Sequence, residues 1–296
     1  MRKNKIWLVG AYGLLGSEFR ELLNDSEYYK SSSKEADITN LESLEKFVLD
    51  KSDIKYIINC AASCDAEALE SNPEYANIIN VEGPKNLSII ANKLNAVLIH
   101  ISTDYVFDGK KSLPYQETDK TNPLSVYGCT KVESEQYLLN NTNSVVIFRT
   151  AWLFSQYGRD FVKIIRKIAS NNKEIRVIFD QVGSPCFAHD LAYYILEALP
   201  MIKDGTKEIF HLTNEGVASW YDLAQFIVNG FNLDCKVIPI HSHEYVQKAK
   251  RPHYSVLDKE KFKKYFNINI RHYIFGLHEC IKLIKERDYV IIEKNT

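Results

Sequence analysis

The chain predicts an open α/β fold: a doubly wound parallel sheet followed by a smaller C-terminal mixed α/β domain. Three observations carry this. Short apolar runs at 6–10, 56–62, 96–102 and 144–150 alternate with stretches of helical spacing, as in strands buried on both faces by crossover helices. A glycine-rich turn, Gly10-Ala-Tyr-Gly13-Leu-Leu-Gly16, follows the first run directly. After Thr150 the alternation loosens into shorter elements separated by turn chemistry such as Asp180-Gln-Val-Gly-Ser-Pro. Residues 1–150 therefore read as one domain and 151–296 as a second, with some of its segments returning to the first sheet.

Ile6–Gly10 is the first strand, and Ser17 to Asn24 continues the glycine turn with helical periodicity. Strand, glycine turn, helix is the setting a dinucleotide-binding turn requires. Gly10 and Gly13 permit close approach of a pyrophosphate, Gly16 lets helix pack on strand, and the helix N-terminus offers its N–H groups. The spacing is G-x-x-G-x-x-G, and a plain turn is the bland alternative. The second strand is hard to see, because residues 25–36 are short and polar. Lys30 and Ser31 to Ser33 suit a 2′-phosphate better than a carboxylate would, a lean to NADPH over NADH; a solvated loop reads equally well.

Thr39 or Asn40 is placed to cap a helix carrying Leu41, Leu44, Phe47 and Val48. Tyr56 to Ala62 is the next strand, 73–94 contains a long helix, and Ala96–Ser102 is a buried strand opening onto Ser102 and Thr103. Binding crevices of such sheets lie outside the carboxyl ends of the strands. Downstream, Tyr127 and Lys131 sit four apart on one helix face and form the one Tyr-x-x-x-Lys of the chain. A phenol is a weak acid–base catalyst at neutral pH until a neighbouring ammonium favours the phenolate. With a Ser or Thr hydroxyl at the strand end, such a pair can protonate a carbonyl as hydride arrives. Alone the pair is surface decoration; its place after a strand ending in Ser-Thr-Asp is what matters.

In the second half, 161–169, 189–199, 220–229 (capped by Ser219) and about 276–286 read as helices, and 175–179, 209–213 and 237–240 as strands. Lys250 to Asp258 is irregular and basic. Lys and Arg number 37 against 38 Asp and Glu, so no basic field points to nucleic acid or a membrane surface. The six Cys are scattered without C-x-x-C and no H-E-x-x-H is present, which argues against a metal site and a disulfide framework and for a reducing cytoplasm. No apolar stretch approaches the length of a membrane span.

Together, GAYGLLG at 10–16, DIT at 37–39, NCAA at 59–62, HISTDYVFDG at 100–109, PLSVYGCTK at 123–131, RTAWLF at 149–154, DQVGSP at 180–185 and KRPHYSVLD at 250–258 resemble the dTDP-4-dehydrorhamnose reductase family. That family lies within the extended short-chain dehydrogenase/reductases. The resemblance implies a Rossmann-type sheet and NAD(P)H-dependent reduction of the C4 keto group of a nucleotide-linked 6-deoxy sugar, in the first place dTDP-4-dehydro-L-rhamnose. It implies that Tyr127 protonates the C4 oxygen, Lys131 lowers the phenol's pKa and holds the nicotinamide ribose, and Thr103 bonds the carbonyl. Gly10, Tyr12, Gly13, Leu14, Leu15 and Gly16 would meet the phosphates and Asp37 and Ile38 the adenine. Ala61, Ala62 and Ser102 would run beside the cofactor. Glu67, Asp104, Trp152 and Arg251 fall where the sugar nucleotide is held, though Trp152 reads equally as a packed aromatic.

Three departures stand out. In the 62–70 loop, Cys64, Ala66 and Glu67 occupy places the family usually fills with Thr, Val and Asp, which leaves the sugar's identity open. Some members dimerise through Mg²⁺-binding glutamates. Glu18 matches one such place but His189 stands at another, so no metal is carried over and a homodimer stays open. The second strand is shortened. A reductase of another nucleotide 4-keto sugar is one alternative. Another is a non-catalytic NADP-binding subunit similar to the regulatory β subunit of methionine adenosyltransferase.

Overall fold

The computed structural model describes residues 5–295. Five strands of the first half are β1 (Lys5–Val9), β2 (Tyr28–Ser31), β3 (Ile54–Asn59), β4 (Val97–Thr103) and β5 (Val145–Thr150). A sixth, Lys207–His211, comes back from the second half and closes the sheet on the far side of β5. The order is Lys207–His211, β5, β4, β3, β1, β2, with every pairing parallel.

Alternation along each strand divides the core. Ile6 and Leu8 of β1 join Val146, Phe148 and Phe210 on one face, covered by α1 (Leu14–Leu22) and by Ala188–Ala198 and Glu260–Phe266. Trp7 and Val9 join Ile57, Leu98 and Ile147 on the other, under α2 (Leu41–Val48) and two helices described below. Phe161–Ala169, Trp220–Gly230 and Tyr273–Asn295 build a further core with the parallel pair Glu174–Ile178 and Lys236–Ile240.

The shortened second strand is β2, only four residues and too few for alternation to show. Three expectations need correction. The helix expected over 73–94 is two helices, α4 (Pro73–Asn77) and α5 (Gly83–Leu94), joined by a π turn at Ile78–Glu82. α3 (Ala66–Glu70) precedes them. Pro84 is the physical reason, since it has no N–H for the carbonyl four residues back and its ring crowds that carbonyl; a π turn absorbs the misfit. The strand expected over 209–213 lies at 207–211. The last helix, expected over 276–286, runs Tyr273–Asn295 because no Gly or Pro interrupts it after Gly276.

Candidate active site

A cleft of about 460 Å³ opens at the carboxyl ends of β1, β3, β4 and β5. It lies at the switch point of the sheet, where β1 has β2 on one side and β3 on the other. Gly10 has φ +71°, and a Cβ there would stand 2.8 Å from the backbone N of Ala61. A Cβ on Gly16 would meet the Gly10 carbonyl oxygen at 2.3 Å, so two backbones cross with no room for side chains. α1 begins at Gly13 with no side-chain cap and no acidic residue in its first turn. Its first N–H groups are thus open to an anion, the arrangement a dinucleotide pyrophosphate needs.

Gly13, Leu14, Leu15 and Ala62 line this side of the cleft. Tyr12 is 54% exposed and lies under the Arg20 guanidinium, 4.7 Å from its ring centroid. Asp37 accepts hydrogen bonds from the N–H and hydroxyl of Thr39 at 2.9 Å. The Ile38 side chain packs beneath Gly83, leaving only its backbone for an adenine. Ser31 is not free for a phosphate, because its buried hydroxyl accepts from Trp7 Nε1 at 2.9 Å. Ser102 corrects likewise: its hydroxyl donates to Glu135, itself paired with Arg149. What Ser102 offers the cleft is backbone.

α6 (Val126–Asn141) carries Tyr127 and Lys131 to the end of β4. Ser125 caps it by accepting from Gly128 N–H at 3.2 Å, and a Cβ on Gly128 would strike the Tyr105 carbonyl at 2.3 Å. Asn80, in the π turn, accepts from Ser63 N–H at 2.9 Å and donates to Ser63 O at 2.8 Å and Thr130 Oγ1 at 3.4 Å. It pins the 62–64 segment against the helix that bears the tyrosine. Thr103 Oγ1 donates to Asp104 Oδ1 at 3.1 Å, while Asp104 Oδ2 is buried without a partner. Burial pushes the Asp104 carboxyl up to about 6.

Tyr127 shows part of its surface to the cleft, yet loss of solvent pushes its phenol well above the usual range. Cys64, Asp104 and Tyr105 add to the rise and the Thr103 hydroxyl opposes it. The expected lowering by Lys131 is therefore not the dominant effect in the cofactor-free protein. Lys131 is 1% exposed and spends its hydrogen bonds on the Ile101 carbonyl, 2.7 Å away, and on His100 Nε2, 3.0 Å away. Burial lowers its own pKa to about 8. A protonated phenol beside a lysine can give a proton to a carbonyl oxygen and leave a phenolate near a cation.

On the opposite wall, Trp152 (φ +46°) stacks on Trp220 at 3.5 Å and covers Gly183. It is both packed and cleft-lining, so its two readings merge. Arg251 lines the mouth, but its Nη2 donates to Glu67 Oε1 at 3.1 Å. Arg159, Trp220 and Tyr105 also line the cleft and were missed from sequence. Trp220 was hidden as an ordinary first helical residue. Arg159 sits on a loop with no periodicity, and only the adjoining Gly158 (φ +62°), where a Cβ would stand 3.1 Å from Leu14, hints at its place.

Comparison with known proteins finds that residues 4–286 match the RmlD substrate binding domain. The chain belongs to the dTDP-4-dehydrorhamnose reductase family. A dTDP-4-dehydrorhamnose reductase of Aggregatibacter actinomycetemcomitans is 35% identical over 279 residues, 89% of this chain and 94% of that one. The structure of such a reductase from Clostridium acetobutylicum matches with a TM-score of 0.90 at 36% identity, covering 95% of this chain and 99% of that one. That of Bacillus anthracis, solved in complex with NADP, matches at 0.89 and 31% identity over 94% and 98%.

The family expected from HISTDYVFDG and KRPHYSVLD is thus borne out. Family membership also places the departures. Glu18 is fully buried, bonded to Ser155 and 3.2 Å from His189 Nδ1. Among the described residues no group of three or more His, Cys, Asp or Glu is placed to hold a metal. None of their helices is long and apolar enough to cross a membrane.

Proposed function

We propose that this protein reduces the C4 keto group of dTDP-4-dehydro-L-rhamnose with NADPH, giving dTDP-L-rhamnose. The observation that carries the reading is the meeting of Thr103, Tyr127 and Lys131 in one cleft with the uncapped glycine turn. A bound nicotinamide would supply the hydride. Tyr127 gives its phenolic proton to the sugar's C4 oxygen, the Thr103 hydroxyl turns from Asp104 to hold that oxygen, and Lys131 steadies the ribose and the phenolate left behind. Gly13, Leu14 and Leu15 hold the pyrophosphate at the start of α1. Trp152 and Arg251 bound the sugar nucleotide. The preference for NADPH rests on the NADP held by the Bacillus anthracis relative; just after β2 the Ser32 N–H and hydroxyl are taken by the Glu35 carboxylate, which a 2′-phosphate would have to displace.

A second reading, reduction of a different nucleotide 4-keto sugar, is favoured by one contact: Glu67, longer than the family's usual Asp, engages Arg251 at the mouth. The test supplies purified protein with dTDP-4-keto-6-deoxyglucose and NADPH or NADH, with and without a 3,5-epimerase, and identifies the product. Epimerase-dependent formation of dTDP-L-rhamnose supports the first reading. Epimerase-independent turnover supports the second. No turnover despite NADP binding would point first to other nucleotide 4-keto sugars and next to the non-catalytic subunit. A cytoplasmic location and a homodimer complete the proposal, checked by fractionation and sedimentation.

A further inference from the structure

Behind Lys131 lies a buried hydrogen-bond chain that the proposed chemistry leaves unused. Asn59 and His100 stand opposite each other in the β3–β4 ladder, 2% and 1% exposed. His100 Nε2 is 3.0 Å from Lys131 Nζ and 3.2 Å from Ser134 Oγ, and Nδ1 is 3.3 Å from Asn59 Nδ2. Asn59 Oδ1 accepts from Ala61 N–H at 3.0 Å. That backbone donor sets the amide, because flipping it would bring two N–H groups together.

Proton accounting then becomes restrictive. A neutral imidazole has one N–H, and burial together with the Lys131 charge holds His100 neutral. With the Asn59 amide donating to Nδ1, the ring hydrogen belongs on Nε2, facing Ser134 and Lys131. An ammonium on Lys131 then meets another donor at 3.0 Å, whereas a free amine accepts from it. For a charged Lys131 to donate to Nε2, the ring hydrogen must move to Nδ1 and the Asn59 bond is lost. Lys131 is also faced by Cys64 from the 62–64 segment and by Glu135 from its own helix, and Arg149 of β5 is paired with Glu135.

We propose that Asn59 and His100 are positioning residues that couple the charge of Lys131 to the imidazole tautomer, so that the Lys131 ammonium gives up its proton more readily. This deepens the reductase reading and rests on its assignment of Lys131. In the amine form Lys131 accepts from His100 Nε2–H and the Asn59 bond to Nδ1 is kept, whereas the ammonium form drives the ring hydrogen onto Nδ1 and breaks that bond.

Asn59→Asp tests it with little change in shape. One carboxylate oxygen still accepts from Ala61 N–H, while the other requires a hydrogen on Nδ1, which frees Nε2 to accept from Lys131. His100→Gln is the second variant, since its amide can turn a carbonyl toward the lysine. The readout is the pH midpoint of the Lys131 side-chain NMR signal in cofactor-free protein, assigned by its loss in Lys131→Met. It needs no turnover, so its outcome is separate from that of the sugar assay. The expected result is a midpoint raised by about one pH unit or more in both variants, a tenfold change in proton affinity. If the variants fold, as judged by circular dichroism, and both midpoints stay at the wild-type value, the coupling is overturned. A shift in Asn59→Asp alone would also overturn it, because the added charge would then act without the imidazole.

Discussion

Arg149 and Glu135 form a bidentate ion pair in which both side chains are 3% exposed, directly behind Ser102. Nη2 lies 2.7 Å from Oε2 and Nε 3.0 Å from Oε1. The pair bolts β5 to α6, and so fixes the helix bearing Tyr127 and Lys131 against the strands whose ends form the cleft. Removing one partner leaves an uncompensated buried charge, which costs about 3–5 kcal/mol. Arg149→Met should lower the unfolding free energy by that amount in urea titration. A loss under about 1 kcal/mol would mean that water reaches Glu135.

Tyr127→Phe removes only the proton donor. Its expected signature is a fall in kcat of about 100- to 10,000-fold, the usual range for a general acid, with NADPH affinity unchanged by fluorescence titration. Because burial holds the phenol protonated through neutral pH, wild-type turnover should lack any neutral-pH limb due to this group. Retained turnover in the variant would move the proton-donating role elsewhere.

Gly16 is 2.3 Å, by its missing Cβ, from the Gly10 carbonyl oxygen and 2.8 Å from Ala11 Cα. Both are backbone atoms that cannot swing aside. Gly16→Ala should therefore shift the turn that receives the pyrophosphate, with about 1–3 kcal/mol lost to overpacking. NADPH should bind about tenfold or more weakly, one decade for each 1.4 kcal/mol. Calorimetric titration with NADPH measures it, and an unchanged Kd would show that the cofactor does not use this turn.

The parts legible in sequence were those with local causes. Gly10, Gly13 and Gly16 announce a backbone crossing, and Tyr127 and Lys131 share a helix face by spacing alone. Strands buried on both faces leave continuous apolar runs, so β3, β4 and β5 were plain. What was hidden depends on partners remote in sequence. The π turn before Pro84 carries Asn80 to Ser63, which no periodicity encodes. Ser102 looked like a cofactor contact until Glu135, on another element, claimed its hydroxyl. Arg251 looked free until the structure brought Glu67 beside it.

His189 offers a pH test. Its hydrogen bond to the buried Glu18 carboxylate, outweighing the opposing effect of burial, raises its pKa. A raised pKa means stabilisation that is complete below the unfolded value of about 6.5 and lost as pH rises through the folded value. The Tm advantage of wild type over His189→Gln should be largest near pH 6 and shrink towards pH 9. A difference that stays constant across that range would show that the imidazole contributes packing rather than charge.

Glu67, on α3, and Arg251 join that helix to the irregular 245–251 segment, a strap at the mouth of the cleft, with help from Lys248, whose N–H reaches Glu67 Oε2 at 2.8 Å and whose Nζ reaches Ser71 Oγ at 3.0 Å. The Glu67 and Arg251 side chains keep 37% and 24% of their exposure, so solvent screens the pair and its share of global stability is about 0–1 kcal/mol. Its effect is local. Arg251 lines the mouth of the cleft, and freeing it unfastens one wall of the sugar-nucleotide side while leaving Tyr127 and Lys131 in place. Glu67→Ala should accordingly leave the urea midpoint nearly unchanged and speed tryptic cleavage after Lys248 or Lys250, Arg251 being shielded from trypsin by Pro252. KM for the nucleotide sugar should rise severalfold with kcat held. Glu67→Asp, one methylene shorter, should fall between the two. Equal cleavage rates and equal KM in all three proteins would show that the strap is held by its other contacts, and that the altered 62–70 loop does not select the sugar through Arg251.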